Sequence, residues 1–191
     1  MAGLLPSDSG KQVTFCGKPF SDLSELDFAL EATIYLGLLN RSAAPKLASM
    51  LTTTPTEHPR AITTRYRKLG PQVSIETKKT LGFRSNAFLS IEAFGDLTEA
   101  GKSRALDAHE ISLLRAAFNK MKVETLSGAW MSGFDKVRFS PSHLEECVFC
   151  QENDNVLLYI DELSELPISR CSREACSALI SPYRDYLGKS H

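Results

Sequence analysis

Near the C-terminus, two close cysteine pairs, Cys147-Val-Phe-Cys150 and Cys171-Ser-Arg-Glu-Ala-Cys176, stand twenty residues apart. No other feature of the chain restricts its fold as tightly. Zinc takes four tetrahedral ligands, and thiolates suit its borderline softness. A CxxC turn aims two sulfurs at one centre, a second pair closes the shell, and a short segment then gains folding energy from the metal. The spacing predicts a structural zinc site on Cys147, Cys150, Cys171 and Cys176. It would sit in a C-terminal module over residues 140–191, after a core over residues 1–139. The second pair is CxxxxC rather than CxxC, so the alternative is four small buried apolar residues. His143 is a substitute ligand by position, or else a surface residue.

The fifth cysteine, Cys16, makes the count odd, which fits a reducing compartment better than a disulfide framework. The first eleven residues carry no basic segment followed by an apolar one, as a secretory signal would. The longest apolar tract, residues 28–39, is broken by Glu31 and falls short of the roughly 20 residues that span a bilayer. A soluble, cytoplasmic protein without a membrane span is expected.

Periodicity places the clearest helix over Ala105 to Lys122, with Ile111, Leu114, Phe118 and Met121 as its apolar stripe. Another helix begins after Ser24 and runs to about Asn40, and a short one covers Ala44 to Leu51. Thr52 to Arg60 reads as a loop. Gln12 to Cys16, Gln72 to Thr77, Ala87 to Ala93 and Asn155 to Ile160 read as strands, and Gly128 to Phe139 as strand and turn. A short helix is expected from Ser140-Pro141 and a further one from Ser172 to Pro182. Helices and scattered strands without regular alternation point to α+β: a small mixed sheet with packed helices. The cysteine segment resembles a zinc ribbon or treble clef.

Charge is unevenly spread. The formal net charge of −1 excludes a uniformly basic coat for nucleic acid. Yet Arg60 to Arg84 carries Arg60, Arg65, Arg67, Lys68, Lys78, Lys79 and Arg84 against Glu76 alone, with Tyr66 and Phe83 interleaved. Cations release counterions from phosphates and aromatic rings stack on bases, so DNA or nucleotide contact is expected here; the alternative is a solvated face. From Glu145 onward nine acids face four bases, a region that repels phosphates and suits a protein partner.

Gly101-Lys102-Ser103-Arg104 precedes the clearest helix. Free amides at a helix start attract an anion, and an arginine fork grips phosphate oxygens. Glu92, Asp96 and Glu99 lie just upstream, as carboxylates that could hold magnesium for metal-assisted hydrolysis. His109, between Asp107 and Glu110, reads as solvated.

Gly101-x-x-Arg104 with Ala108 opening a helix resembles the GxxR signature of the ParB/sulfiredoxin superfamily. Within it, the size and the lack of a helix-turn-helix appendage are similar to the Osa-type plasmid fertility-inhibition factors. The resemblance implies phosphate binding at this loop, inhibition of conjugative DNA transfer, and nuclease or ATPase activity. Lys102 stands where ParB members usually carry Glu, and no cysteine sits in the loop, so sulfiredoxin chemistry is not implied. Two readings follow: a nucleic-acid- or nucleotide-acting accessory protein with Arg104, Glu92, Asp96 and Glu99 as catalytic residues, or a non-catalytic adaptor held by zinc.

Overall fold

The computed structural model describes residues 14–15, 18–19, 25–53, 57–141, 147–160 and 174–184. They fall into two compact units, one from Leu30 to Ala117, the other combining those up to Ala29 with those from Phe118 on. Helices accompany a small antiparallel sheet, an α+β composition. No helix among the described residues is long and apolar enough to cross a membrane.

Among the described residues the first elements are a two-residue pair, β1 (Thr14–Phe15) and β2 (Lys18–Pro19), and then α1 (Glu25–Tyr35). The expected capping Ser24 lies outside the described residues. The helix stops well before Asn40 because Gly37 takes φ +69°, the left-handed conformation that ends helices and that glycine adopts without a Cβ penalty.

The unit from Leu30 to Ala117 is a string of short helices: α2 (Ala44–Thr53), α3 (Pro59–Lys68), α4 (Ile75–Thr80), α5 (Ile91–Gly95) and α6 (Glu99–Lys102). Four starts are fixed by side chains. His58 Nδ1 accepts from the amide of Arg60, Ser74 Oγ from Thr77, Ser90 Oγ from Ala93, and Thr98 Oγ1 from Gly101. The Ser74, Ser90 and Thr98 caps each contribute about 1 kcal/mol. The segments expected as strands over 72–77 and 87–93 are therefore helical in their later parts, from Ile75 and from Ile91. An isolated bridge, Gln72–Ser90, joins the two segments, with the Val73 amide donating to Leu89 O at 3.0 Å. The loop expected over 52–60 shortens, since α2 reaches Thr53 and α3 starts at Pro59.

The helix α7 (Ala105–Met131) overruns its expected end by nine residues, so the strand expected from Gly128 begins only after it. Its buried face is not the expected stripe. Ile111, Leu114 and Phe118 are half-buried and Met121 exposed, while Ala108, His109, Ser112, Leu113, Ala116, Asn119, Val123 and Leu126 are covered. Small and polar residues make up much of this covered face, and the larger Ile111, Leu114 and Phe118 lie only partly within it.

After α7 come β3 (Lys136–Ser140), α8 (Val148–Glu152), β4 (Leu157–Tyr159) and β5 (Leu179–Tyr183). The strand order is β4-β3-β5, antiparallel throughout, with Lys136 opposite both Tyr159 and Tyr183. The strand β5 stands where a helix was expected from Ser172 to Pro182. Ser140 closes β3, and the short helix expected after Ser140-Pro141 falls on residues 142–146, which, with His143, lie outside the described residues.

Candidate functional site

The glycine turn is built for packing. A Cβ on Gly101 would lie 2.0 Å from the Leu38 carbonyl oxygen, so only glycine lets α6 reach that backbone. The amides expected to cradle an anion are engaged within the turn. Gly101 donates to Thr98 Oγ1 (3.1 Å), Lys102 to Thr98 O (2.8 Å), Ser103 to Glu99 O (3.4 Å) and Arg104 to Gly101 O (3.2 Å). Arg104 is half-buried where α7 begins.

The carboxylates meet lysines. Lys46 Nζ sits 2.6 Å from both Glu92 Oε1 and Asp96 Oδ2, and donates to Tyr66 Oη at 3.2 Å. Tyr66 Oη in turn donates to Asp96 Oδ2. Partial burial works against the Lys46 ammonium, but its bonds to Asp96 and Glu92 outweigh this and hold its pKa above the ordinary value. Glu99 pairs instead with Lys102 of its own helix at 2.6 Å. Glu92 and Asp96 thus come together around a lysine, and Glu99 does not join them. Among the described residues no three His, Cys, Asp or Glu side chains form a group able to hold a metal ion.

His109, expected in solvent, is 1% exposed. Nδ1 lies 2.8 Å from Ala105 O and Nε2 2.9 Å from Ala93 O, and the ring meets Tyr66 edge-on. Burial pushes its pKa below the ordinary value. The two carbonyls and Asp96 oppose that push, and Arg67 reinforces it.

The basic stretch is dispersed over several roles. Arg60 pairs with Glu110 at 2.7 Å and Arg65 with Glu57 at 2.6 Å. Arg67, half-buried, donates to Leu106 O at 2.6 Å, and burial lowers its pKa despite nearby Glu110 and Asp107. Lys78 is 7% exposed, its Nζ 3.4 Å from Ser85 O. Burying the charged heads of Arg67 and Lys78 requires such carbonyl partners. Lys68 rides over the half-exposed Phe88 ring at 4.6 Å, and Lys79 and Arg84 are exposed. Sequence reasoning passed over Phe88 as a strand residue and missed Lys46 altogether. Both were visible only as an aromatic and a cation outside the counted run.

A hollow of about 210 Å³ lies between α2 and α3, lined by Met50, Ile62, Arg65, Tyr66 and Leu69 among others. It is smaller than the roughly 300 Å³ of the smallest usual small-molecule sites.

In the unit that includes the sheet, Cys147, Cys150 and Cys176 are buried in one cluster with Phe139, Ala178 and Leu158. Lys122, 2% exposed, donates from Nζ to Cys176 O at 2.7 Å. Cys171 lies outside the described residues. No protein-family model, curated protein or solved structure matches the chain.

Proposed function

We propose that this protein is a nucleic-acid-binding accessory protein that holds its target through the phosphate backbone. The observation that carries the reading is that Lys68, over the Phe88 ring, Lys79 and Arg84 are exposed and carry no carboxylate partner among the described residues. The ion pairs of Lys46 with Glu92 and Asp96, and of Lys102 with Glu99, favour holding over cutting, because those carboxylates are already neutralised. By the resemblance to fertility-inhibition factors, such holding would act on conjugative DNA transfer.

The test is fluorescence anisotropy with a labelled duplex of about 20 base pairs at low salt. Lys68→Glu/Lys79→Glu/Arg84→Glu should weaken binding at least tenfold, since three phosphate contacts are replaced by repulsions. Its melting temperature should match wild type. Wild-type protein that leaves the duplex free at about 50 mM salt would overturn the reading.

A second reading, an adaptor whose C-terminal module is held by zinc and binds protein, is favoured by the shared burial of Cys147, Cys150 and Cys176. Among the described residues the three thiols do not form a group placed to hold a metal, so this reading is supported by their donor type and common burial alone. The metal would fasten α8 to the segment before β5 and supply no reaction step.

A further inference from the structure

The sheet presents two unlike faces. Val137, Phe139 and Ile180 point inward and are buried. The outward positions of the central strand are Lys136 and Arg138. Register places Lys136 between Tyr159 and Tyr183, and Arg138 beside Leu157. Lys136 Nζ lies 4.7 Å from the Tyr159 ring centre, and the Arg138 guanidinium 5.1 Å from that of Tyr183. Tyr159 is 44% exposed and the flanking Leu157 and Leu179 are 39% and 51% exposed. None of the outward side chains of the three strands is acidic, although the surrounding region is strongly so.

We propose that this outward sheet face binds single-stranded nucleic acid, with Tyr159 and Tyr183 stacking bases and Lys136 and Arg138 holding the intervening phosphates. The proposal rests on the nucleic-acid reading above for the class of target alone, since it concerns a different unit and different residues. Charge complementarity selects the occupant. A protein-binding patch keeps charge at its rim and apolar side chains at its centre. Here the order is inverted: cations hold the central strand, and rings and leucines hold the edges. A chain that alternates flat bases with phosphates matches that order, and the pleated surface spaces the rings across the strands. Cation–π contact keeps each tyrosine in place before binding, which lowers the ordering cost.

The experiment compares single-stranded and duplex probes, about 12 nucleotides of labelled oligothymidine or oligouridine against the duplex used above, on wild type, Tyr159→Ala, Tyr183→Ala and Arg138→Gln. Each tyrosine variant should lose at least fivefold in single-strand affinity, the low end for removing one stacked base, and keep duplex affinity. Arg138→Gln should weaken single-strand binding and flatten its salt dependence by about one phosphate contact. Photocrosslinking of wild-type protein to a 5-bromouridine oligonucleotide, followed by mass spectrometry, needs no variant to fold and should place the adduct on Tyr159 or Tyr183.

Single-strand affinity within twofold of wild type in folded tyrosine variants, or adducts confined to residues 60–88, would overturn the sheet proposal while leaving the nucleic-acid reading standing. If wild type retained neither probe, both would fall. Capture of a protein through this face without any oligonucleotide binding would likewise overturn it.

Discussion

Gly101 leaves no room for a methyl group. The added carbon of Gly101→Ala would meet the Leu38 carbonyl at 2.0 Å, backbone against backbone, where no side chain can swing aside. Overpacking typically costs 1–3 kcal/mol, and a backbone clash belongs at or above the top of that range. A loss of about 3 kcal/mol in urea unfolding is expected; an unchanged midpoint would mean that α6 does not pack on Leu38. His109 makes a pH prediction. Its folded pKa is depressed by burial, so below the ordinary value near 6.5 the unfolded chain binds the proton more readily than the native one. The stability it contributes is complete above that value and is lost as pH falls through it towards the lower folded value. The slope for one proton is at most about 1.4 kcal/mol per pH unit. His109→Gln should flatten the melting-temperature profile between about pH 5 and 7. A profile as steep as that of wild type would assign the acid sensitivity to another group.

Local signals competed along the helical string, and the winner can be named. Val73 and Ile75 alternate like a strand, yet Ser74-Ile75-Glu76 and Ser90-Ile91-Glu92 each combine a capping hydroxyl with an acid in the first turn. The cap decides both, and an isolated bridge joins the two segments. Ser90→Ala should therefore cost about 1 kcal/mol or slightly more, because Ser90 is 1% exposed and its loss strands the Ala93 amide. A change below about 0.3 kcal/mol would show that packing alone holds α5. The existence of α7 was readable from its periodicity, and β4 from the apolar run before Ile160. The buried face of α7 was not readable, since the bulkiest apolar residues lie beside it and His109, Ser112 and Asn119 lie on it. Composition cannot reveal which cations are exposed: Arg67 and Lys78 turn inward to carbonyls, while Lys79 and Arg84 stay out. The cysteine spacing leaves the metal question open: Cys147, Cys150 and Cys176 share one buried cluster but form no metal-holding group among the described residues.

At the scale of the molecule, function is carried by what remains unneutralised once internal partners are assigned. The acids beside the glycine turn are taken by Lys46 and Lys102, and much of the basic run is taken by Glu57, Glu110 and backbone carbonyls. Lys68 over Phe88, Lys79 and Arg84 stay exposed with no carboxylate partner among the described residues, and on the sheet the Arg138 guanidinium lies over Tyr183. If zinc fastens the cysteine cluster, elemental analysis of purified protein should give about one zinc per chain, and chelation should lower the melting temperature. Metal-free protein with an unchanged melt after chelation would return the cysteines to plain core residues.

The central claim, that the exposed cations hold a phosphate backbone, is tested most directly by the salt dependence of wild-type binding to the duplex. With Lys68, Lys79 and Arg84 each neutralising one phosphate, the logarithm of affinity should fall against the logarithm of salt with a slope of about −3. The triple Glu variant should show no measurable retention. A flat dependence, or no retention of the duplex by wild type at about 50 mM salt, would contradict the account.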